Sequence, residues 1–291
     1  VTPFELLEPA TLGEAVAALD PEDPTVRAIA GGTALVLMMK SRVFRPQRLV
    51  SLRRLGAELR TVHVDADGTL RIGALATLAA LERSPEVAAA FPVVSRALRT
   101  LSNIRIRNVA TLGGHLAHGD PHMDLPPILI TLGARVRAVS PGGERWIDVA
   151  DLIAGYYETT LRGDELIAEI AIPAQTPGTR GYYAKHTALS ADDWPAVGVA
   201  VAFRRENGAV RDARVAVSAA TERPLRLAAA EAVLAEAGGA ETTFAHAADA
   251  AADEVQTLGD LRGSAAYKRE MVRVHVRRAL IAADAAAAEG R

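Results

Sequence analysis

The sequence predicts an α+β fold in two domains, and three features carry that prediction. A short apolar strand, Thr25 to Ala30, runs into Gly31-Gly32 and then into a helical stretch from Thr33 to Lys40. Leu166 to Ile172 reads as a strand that stops at Pro173, and Gln175-Thr176-Pro177-Gly178-Thr179 has the composition of a linker. Beyond it, three strand-like runs precede three helical ones, the order of an antiparallel sheet with helices packed on it. The first domain therefore covers residues 1–174 and the second residues 179–291.

In order along the chain, Thr11 to Leu19 is the first helix. Thr11 stands three residues before Glu14 in a capping box, and Pro21 follows the end. Leu49 to Leu52, Thr61 to Val64 and Thr69 to Ile72 are short strands, the last two joined by the hairpin signal Asp65-Ala66-Asp67-Gly68. Thr77 to Leu81 starts a helix that Pro85 restarts, and Val93 to Leu101 repeats its apolar residues at helical spacing. Arg105 and Arg107 alternate with Ile104 and Ile106, which reads as one strand face, either solvated or in contact with a phosphate or a partner. Ile128 to Leu132 is an apolar helix or strand. Ala134 to Val139 and Arg145 to Val149 are strands about a Pro141-Gly142-Gly143 tip, and Asp151 to Ala154 is a short helix. In the second domain, Tyr182 to Lys185, Val197 to Arg204 and Val210 to Ser218 are strands, the last pair turning at Asn207-Gly208. Pro224 to Ala237, Thr243 to Ala252 and Ser264 to Ala288 are helices.

The totals exclude several classes. With 33 Lys and Arg against 35 Asp and Glu, no strong field draws the chain to nucleic acid, and few aromatics argue against a base-stacking surface. The cysteine count of 0 removes thiolate nucleophiles, disulfides and any cysteine-held iron–sulfur cluster from this chain. No signal peptide and no apolar run of ~18 residues is visible, so a cytoplasmic protein without a membrane span is expected.

The densest chemistry lies between Ser102 and Pro127. That stretch holds Gly113-Gly114, three histidines, two arginines and two aspartates. Paired with the Gly31-Gly32 bend, it suggests two glycine turns closing on one dinucleotide, because glycine lets backbone N–H groups approach a pyrophosphate. Ordinary turns use glycine for the same conformational freedom, so the residues alone leave both readings open. Neither turn has Gly-x-Gly-x-x-Gly or Walker spacing. His115, His118 and His122 with Asp120 and Asp124 offer metal-ligand chemistry. Gly119 and Pro121 break the helix that would align the rings, which favours separate histidines. Asp124 is either a helix N-cap or an acceptor for nucleotide sugar hydroxyls. Lys185 is an edge-strand lysine or faces a cleft at the domain junction. Arg269, Arg273 and Arg277 form a basic stripe with Arg278, either solvated or a docking face for an acidic partner.

Together these motifs carry a resemblance. Ala30-Gly31-Gly32-Thr33 with Leu35, Arg107-Asn108-x-x-Thr111-Leu112-Gly113-Gly114 and Asp120-Pro121-x-x-Asp124-Leu125-Pro126-Pro127 resemble the FAD-binding medium subunit of molybdenum hydroxylases. That family includes aerobic carbon monoxide dehydrogenase and xanthine dehydrogenase. The likeness extends from Pro3-Phe4-Glu5-Leu6, through Gly163-Asp164-Glu165-Leu166-Ile167 and Tyr183-x-Lys185, to Ser264-x-x-Tyr267-Lys268. It departs at His115, where asparagine or serine is usual, and at Gly119 and His122, where small residues are common.

The resemblance implies a two-lobed FAD domain of the vanillyl-alcohol-oxidase (PCMH) type, with lobes at about 1–57 and 58–174, and a C-terminal flavoprotein domain. It implies that Ala28, Ile29, Ala30, Gly31, Gly32, Thr33, Ala34 and Leu35, together with Thr111, Gly113 and Gly114, hold the FAD pyrophosphate and adjoining atoms. Asp124 would take FAD hydroxyls, and Leu101 and Leu166 would pack on the cofactor. Lys185 would stand near the flavin, where a cation suits charge left by reduction. The molybdenum cofactor and [2Fe–2S] clusters would sit on a large and a small partner subunit, in a heterotrimer or its double. Electrons would then pass to an external quinone, NAD or oxygen. The alternatives are a stand-alone FAD oxidase of the same domain type, an assembly subunit with empty turns, and, more remotely, a metal-dependent hydrolase.

Overall fold

A computed structural model describes residues 2–236 and 241–285 of the chain. The first lobe is a parallel sheet. Its elements are β1 (Glu5–Leu7), α1 (Leu12–Ala17), β2 (Val26–Ile29), α2 (Leu35–Lys40) and β3 (Arg48–Ser51). Parallel strands need crossovers, and the two helices supply them, giving the strand order β1-β3-β2. The capping box at Thr11 and Glu14 starts α1 as its sequence demands. Ala15 and Val16 of α1 then pack on Val26 and Val50 in one small core.

The second lobe is an antiparallel sheet covered by helices. In chain order it comprises β4 (Val62–Val64), β5 (Leu70–Gly73), α3 (Leu78–Arg83), α4 (Pro85–Ala90), α5 (Pro92–Leu98), α6 (Ile104–Arg107), α7 (Leu112–Ala117) and α8 (Leu125–Thr131). It continues with β6 (Arg135–Ser140), β7 (Gly143–Asp148), α9 (Val149–Leu152), β8 (Ile153–Gly155), β9 (Glu158–Thr159) and β10 (Leu166–Ile172). The sheet order is β4-β5-β10-β6-β7, so the last strand lies in the middle. That placement buries Leu166, Ile167, Ala168, Ile170 and Ile172, while Glu169 pairs with Arg71 of β5 at 2.6 Å. Every residue of α8 is buried.

One expectation is overturned here. Arg105 and Arg107 do not share a strand face. They lie on α6, which Asn103 caps by accepting from the Ile106 N–H at 3.1 Å. The cap settles the local conformation against the alternating pattern. Arg105 is exposed, whereas Arg107 is buried, 2.8 Å from Glu82 and bonded to the Leu101 and Ser102 carbonyls.

The C-terminal domain holds β11 (Arg180–His186), β12 (Val197–Glu206), β13 (Ala209–Ser218), β14 (Leu225–Arg226), α10 (Ala228–Glu236), α11 (Glu241–Glu254) and α12 (Ala265–Ala285). The strands pair in sequence order, and Asn207 and Gly208 at positive φ make the tight turn between β12 and β13. The expected helix ends at Ala237 and Ala288 lie outside the described residues. Two residues of the basic stripe on α12 are paired within the domain, Arg273 with Asp249 at 2.9 Å and Arg277 with Glu241 at 2.8 Å. The two domains share packing, since Ala200 of β12 and Ala216 of β13 belong to the core built around α8.

Candidate FAD-binding site

The two glycine bends lie against each other. A Cβ on Gly31 would stand 2.2 Å from the Val109 carbonyl oxygen and 3.0 Å from Ala110 Cα, so only glycine permits this approach. Across the same seam, the Cβ direction of Gly114 points to Ala30 Cβ at 3.6 Å. Gly32 has φ +69, which turns the chain from β2 into α2.

The bends differ in what their amides do. Among the described residues, the N–H groups of Gly31, Gly32, Thr33 and Ala34 have no acceptor. Those at the start of α7 are engaged: Leu112 donates to Ala76 O at 3.0 Å and Gly113 to Ala74 O at 2.8 Å. Gly114 donates to its own cap, Thr111 Oγ1, at 3.2 Å. A Cβ on Gly113 would meet Ala74 Cβ at 2.6 Å, so this glycine serves the docking of α7 on the end of β5. The free donors thus belong to the first bend, while the second supplies a close-packed backing.

A cleft of about 510 Å³ opens beside this seam. Ala30, Gly31, Thr77, Asn108 and Thr111 line it with Ser51 and Arg53, and Leu6, Val36, Met39 and Leu49 form an apolar wall. The volume falls in the ~300–1,000 Å³ range of small-molecule pockets. Free amides and an arginine suit a pyrophosphate, and the apolar wall suits a planar base, so the donor set fits a dinucleotide. Arg53, Thr77 and Asn108 were not among the expected site residues. No local pattern marks them, because strand pairing and helix packing bring them in.

A second group gathers where the domains meet. The Asp124 carboxylate accepts from the Tyr183 hydroxyl at 2.7 Å and from Lys185 Nζ at 3.2 Å. Lys185 Nζ also donates to the Thr100 carbonyl at 2.9 Å, beside the buried Leu101. Asp124 has helical backbone angles and caps nothing, so the N-cap reading fails. Burial raises its pKa, with Lys185 and then Tyr183 acting against that rise. The Tyr183 phenol is pushed well above its ordinary value, by burial first and then by the Asp124 charge. The predicted residues therefore form two groups, 28–35 with 111–114, and Leu101 with Asp124 and Lys185. Leu166 lies in the core with Val16, Val26 and Leu75, against which Ala28 and Ala30 of the first group also pack.

Comparison with known proteins decides the family. Residues 2–175 match the FAD binding domain in molybdopterin dehydrogenase, and residues 182–283 match the CO dehydrogenase flavoprotein C-terminal domain. The chain belongs to the FAD-binding medium subunits of the molybdenum hydroxylases. It is 34% identical over 280 residues to the carbon monoxide dehydrogenase medium chain of Hydrogenophaga pseudoflava, covering 96% of each chain. It is 32% identical over 277 residues to the nicotine 6-hydroxylase medium subunit of Paenarthrobacter nicotinovorans, covering 95% of this chain and 96% of that one. Carbon monoxide dehydrogenase from H. pseudoflava superposes with a TM-score of 0.93 at 36% identity, over 98% of this chain and 99% of that one.

As an FAD-binding medium subunit the chain is part of an oxidoreductase. No helix among the described residues is long and apolar enough to cross a membrane. Nor does any group of three His, Cys, Asp or Glu side chains among them have the geometry to hold a metal ion. The three histidines of the central segment have separate surroundings. Burial, with His118 nearby, lowers His115 to about 4, and its Nε2 is buried without a partner. The His118 ring lies 5.1 Å from that of Tyr157, and burial lowers its pKa. His122 is held between two carboxylates, Asp120 and Asp260.

Proposed function

We propose that this chain is the electron-transfer subunit of a molybdenum-containing hydroxylase, standing between [2Fe–2S] clusters on a small partner and an external acceptor. Substrate oxidation belongs to a large partner that carries the molybdenum cofactor. The observation that carries the reading is the pair of abutting bends, whose first member leaves the amides of Gly31 to Ala34 unengaged at the edge of a cleft that Gly31 lines. With 0 cysteines, the chain holds no cysteine-ligated cluster of its own, which fits a division of redox centres among subunits. Its relatives are named as the medium chain of carbon monoxide dehydrogenase and the medium subunit of nicotine 6-hydroxylase, names that support partners of other sizes.

Bound FAD supplies the exchange between one-electron and two-electron chemistry. The chain's own residues divide the work of holding it. Amides of Gly31 to Ala34 bind the diphosphate, and Arg53 adds a positive charge at the cleft wall. Leu101, Asp124 and Lys185 serve the flavin side, where the Lys185 ammonium offsets negative charge left on reduction. The test is the absorption spectrum of the purified chain with and without added FAD, together with co-purification from its native source. Flavin bands and two co-eluting polypeptides are expected. Flavin that bleaches with a small alcohol in the isolated chain would favour the stand-alone oxidase, and a chain that takes up no FAD would refute both readings.

A further inference from the structure

The segment that carries Asp124 is tied to the C-terminal domain by a closed ring of buried polar contacts. His122 Nδ1 lies 3.0 Å from Asp120 Oδ1, and His122 Nε2 lies 2.9 Å from Asp260 Oδ2. The same Asp260 oxygen meets Lys268 Nζ at 2.8 Å. Lys268, almost wholly buried, also donates to the Ala219 carbonyl at 2.8 Å. Ala219 N–H closes the ring on the Pro121 carbonyl at 2.9 Å. Thus the end of β13 and the turn at Asp260, joined by Lys268 of α12, hold the chain two and three residues before Asp124.

We infer that His122 is a positioning residue, which fixes the Asp120–Asp124 segment against the C-terminal domain and thereby sets the Asp124 carboxylate against Lys185 for the cofactor. The inference rests on the reading of those two residues as cofactor-side groups. An imidazole donates to both carboxylates only when both nitrogens carry hydrogen. Loss of one proton turns a lone pair toward a carboxylate oxygen about 3 Å away, which opposes one of the two links. The groups facing the ring are Asp120 on its own segment, Asp260 with Lys268 and Arg262 behind it, and the Tyr156 ring at 6.3 Å, near which Glu222 lies. Burial alone would raise Asp260, but hydrogen bonds from Lys268, His122 and the Arg262 N–H outweigh it and hold the group at about 2. Asp120 is likewise lowered, because the His122 bonds overcome its burial. Both carboxylates therefore stay ionised near neutrality.

The experiment is FAD titration of the full chain, followed by flavin fluorescence between about pH 5 and 8, with amide exchange of residues 120–124 measured without FAD. The wild-type pH profile of FAD affinity is the reference. His122→Gln and Asp260→Asn are expected to bind FAD with a flattened pH profile, and His122→Ala to bind about tenfold more weakly with faster exchange in the segment. Should His122→Ala fail to fold, the other two variants carry the test. An unchanged pH profile and unchanged exchange in the variants would overturn the positioning role while leaving the FAD site standing. A wild-type chain that binds no FAD would overturn the site reading and this inference with it.

Discussion

The glycine bends and the Asp124–Lys185 group, the two parts of the proposed site, are built on different physics. At the bends the ligand would meet neutral backbone, glycine and one exposed arginine. At the domain junction it would meet a buried ion pair with a phenol attached. Amide donors cost little to hold in readiness, because a solvated N–H has water until the ligand arrives. A buried lysine and aspartate must remain paired at all times, since each alone would be a stranded charge. The bend end is therefore expected to fail by geometry and the junction end by electrostatics.

The largest effect is expected from Lys185→Met. Lys185 and Asp124 side chains are 7% and 8% exposed, so removing the cation leaves the carboxylate buried with only Tyr183. Breaking such a pair costs about 3–5 kcal/mol. The sign with pH follows from Asp124, whose pKa is already raised in the fold. A group raised on folding favours the folded state below its unfolded value, and that contribution is lost as pH rises through the folded value. Without Lys185 the rise is larger, so the deficit should be greatest near neutrality and shrink on acidification. Denaturant unfolding at two pH values checks this. Adding Asp124→Asn should remove the pH dependence, and persistence of that dependence would locate the charge elsewhere.

Next come two glycine substitutions that separate the bends. In Gly31→Ala the new methyl meets the Val109 carbonyl oxygen, and in Gly113→Ala it meets Ala74 Cβ. Overpacking of this kind costs about 1–3 kcal/mol in either case. FAD affinity should tell them apart. Gly31→Ala pries open the bend with the free amides and is expected to weaken FAD by about tenfold or more. Gly113→Ala should lower the thermal midpoint with a smaller loss of affinity. Equal losses in the two variants would mean that both bends grip the ligand alike.

What was legible in the sequence divides along the same line. The Gly31-Gly32 bend, the Thr11 capping box and the hairpin at Asn207-Gly208 are set by neighbours in the chain, so local rules found them. Helix α7 was seen only as a turn, because two glycines in six residues have poor helix propensity. It forms because Thr111 caps it and carbonyls of Ala74 and Ala76 hold its first amides. Strand β1 was missed for a related reason: with three residues and no alternation, only pairing with β3 makes it a strand. The junction was less legible still. Lys185 was placed by resemblance, and its pairing with Asp124 lies 61 residues away in the chain. The His122–Asp260 contact spans 138 residues, a separation at which no periodicity carries a signal.

The smallest effect, and the sharpest test of the contrast between bends, is expected from Thr111→Val. The hydroxyl of Thr111 accepts from the Gly114 N–H at 3.2 Å, and the residue also lines the cleft. If its work is to cap α7, the valine variant loses about 1 kcal/mol of stability, the ordinary value of an N-cap. Thr111→Ser should then restore the thermal midpoint, and FAD affinity should fall no further than the weakened helix start requires. If FAD affinity falls well beyond the stability loss and serine restores it, the hydroxyl faces the ligand as well. The second bend would then have to open its amides when the cofactor enters, since in this arrangement Leu112, Gly113 and Gly114 all have acceptors within the chain. The ratio of affinity loss to stability loss therefore distinguishes a rigid backing from a second jaw.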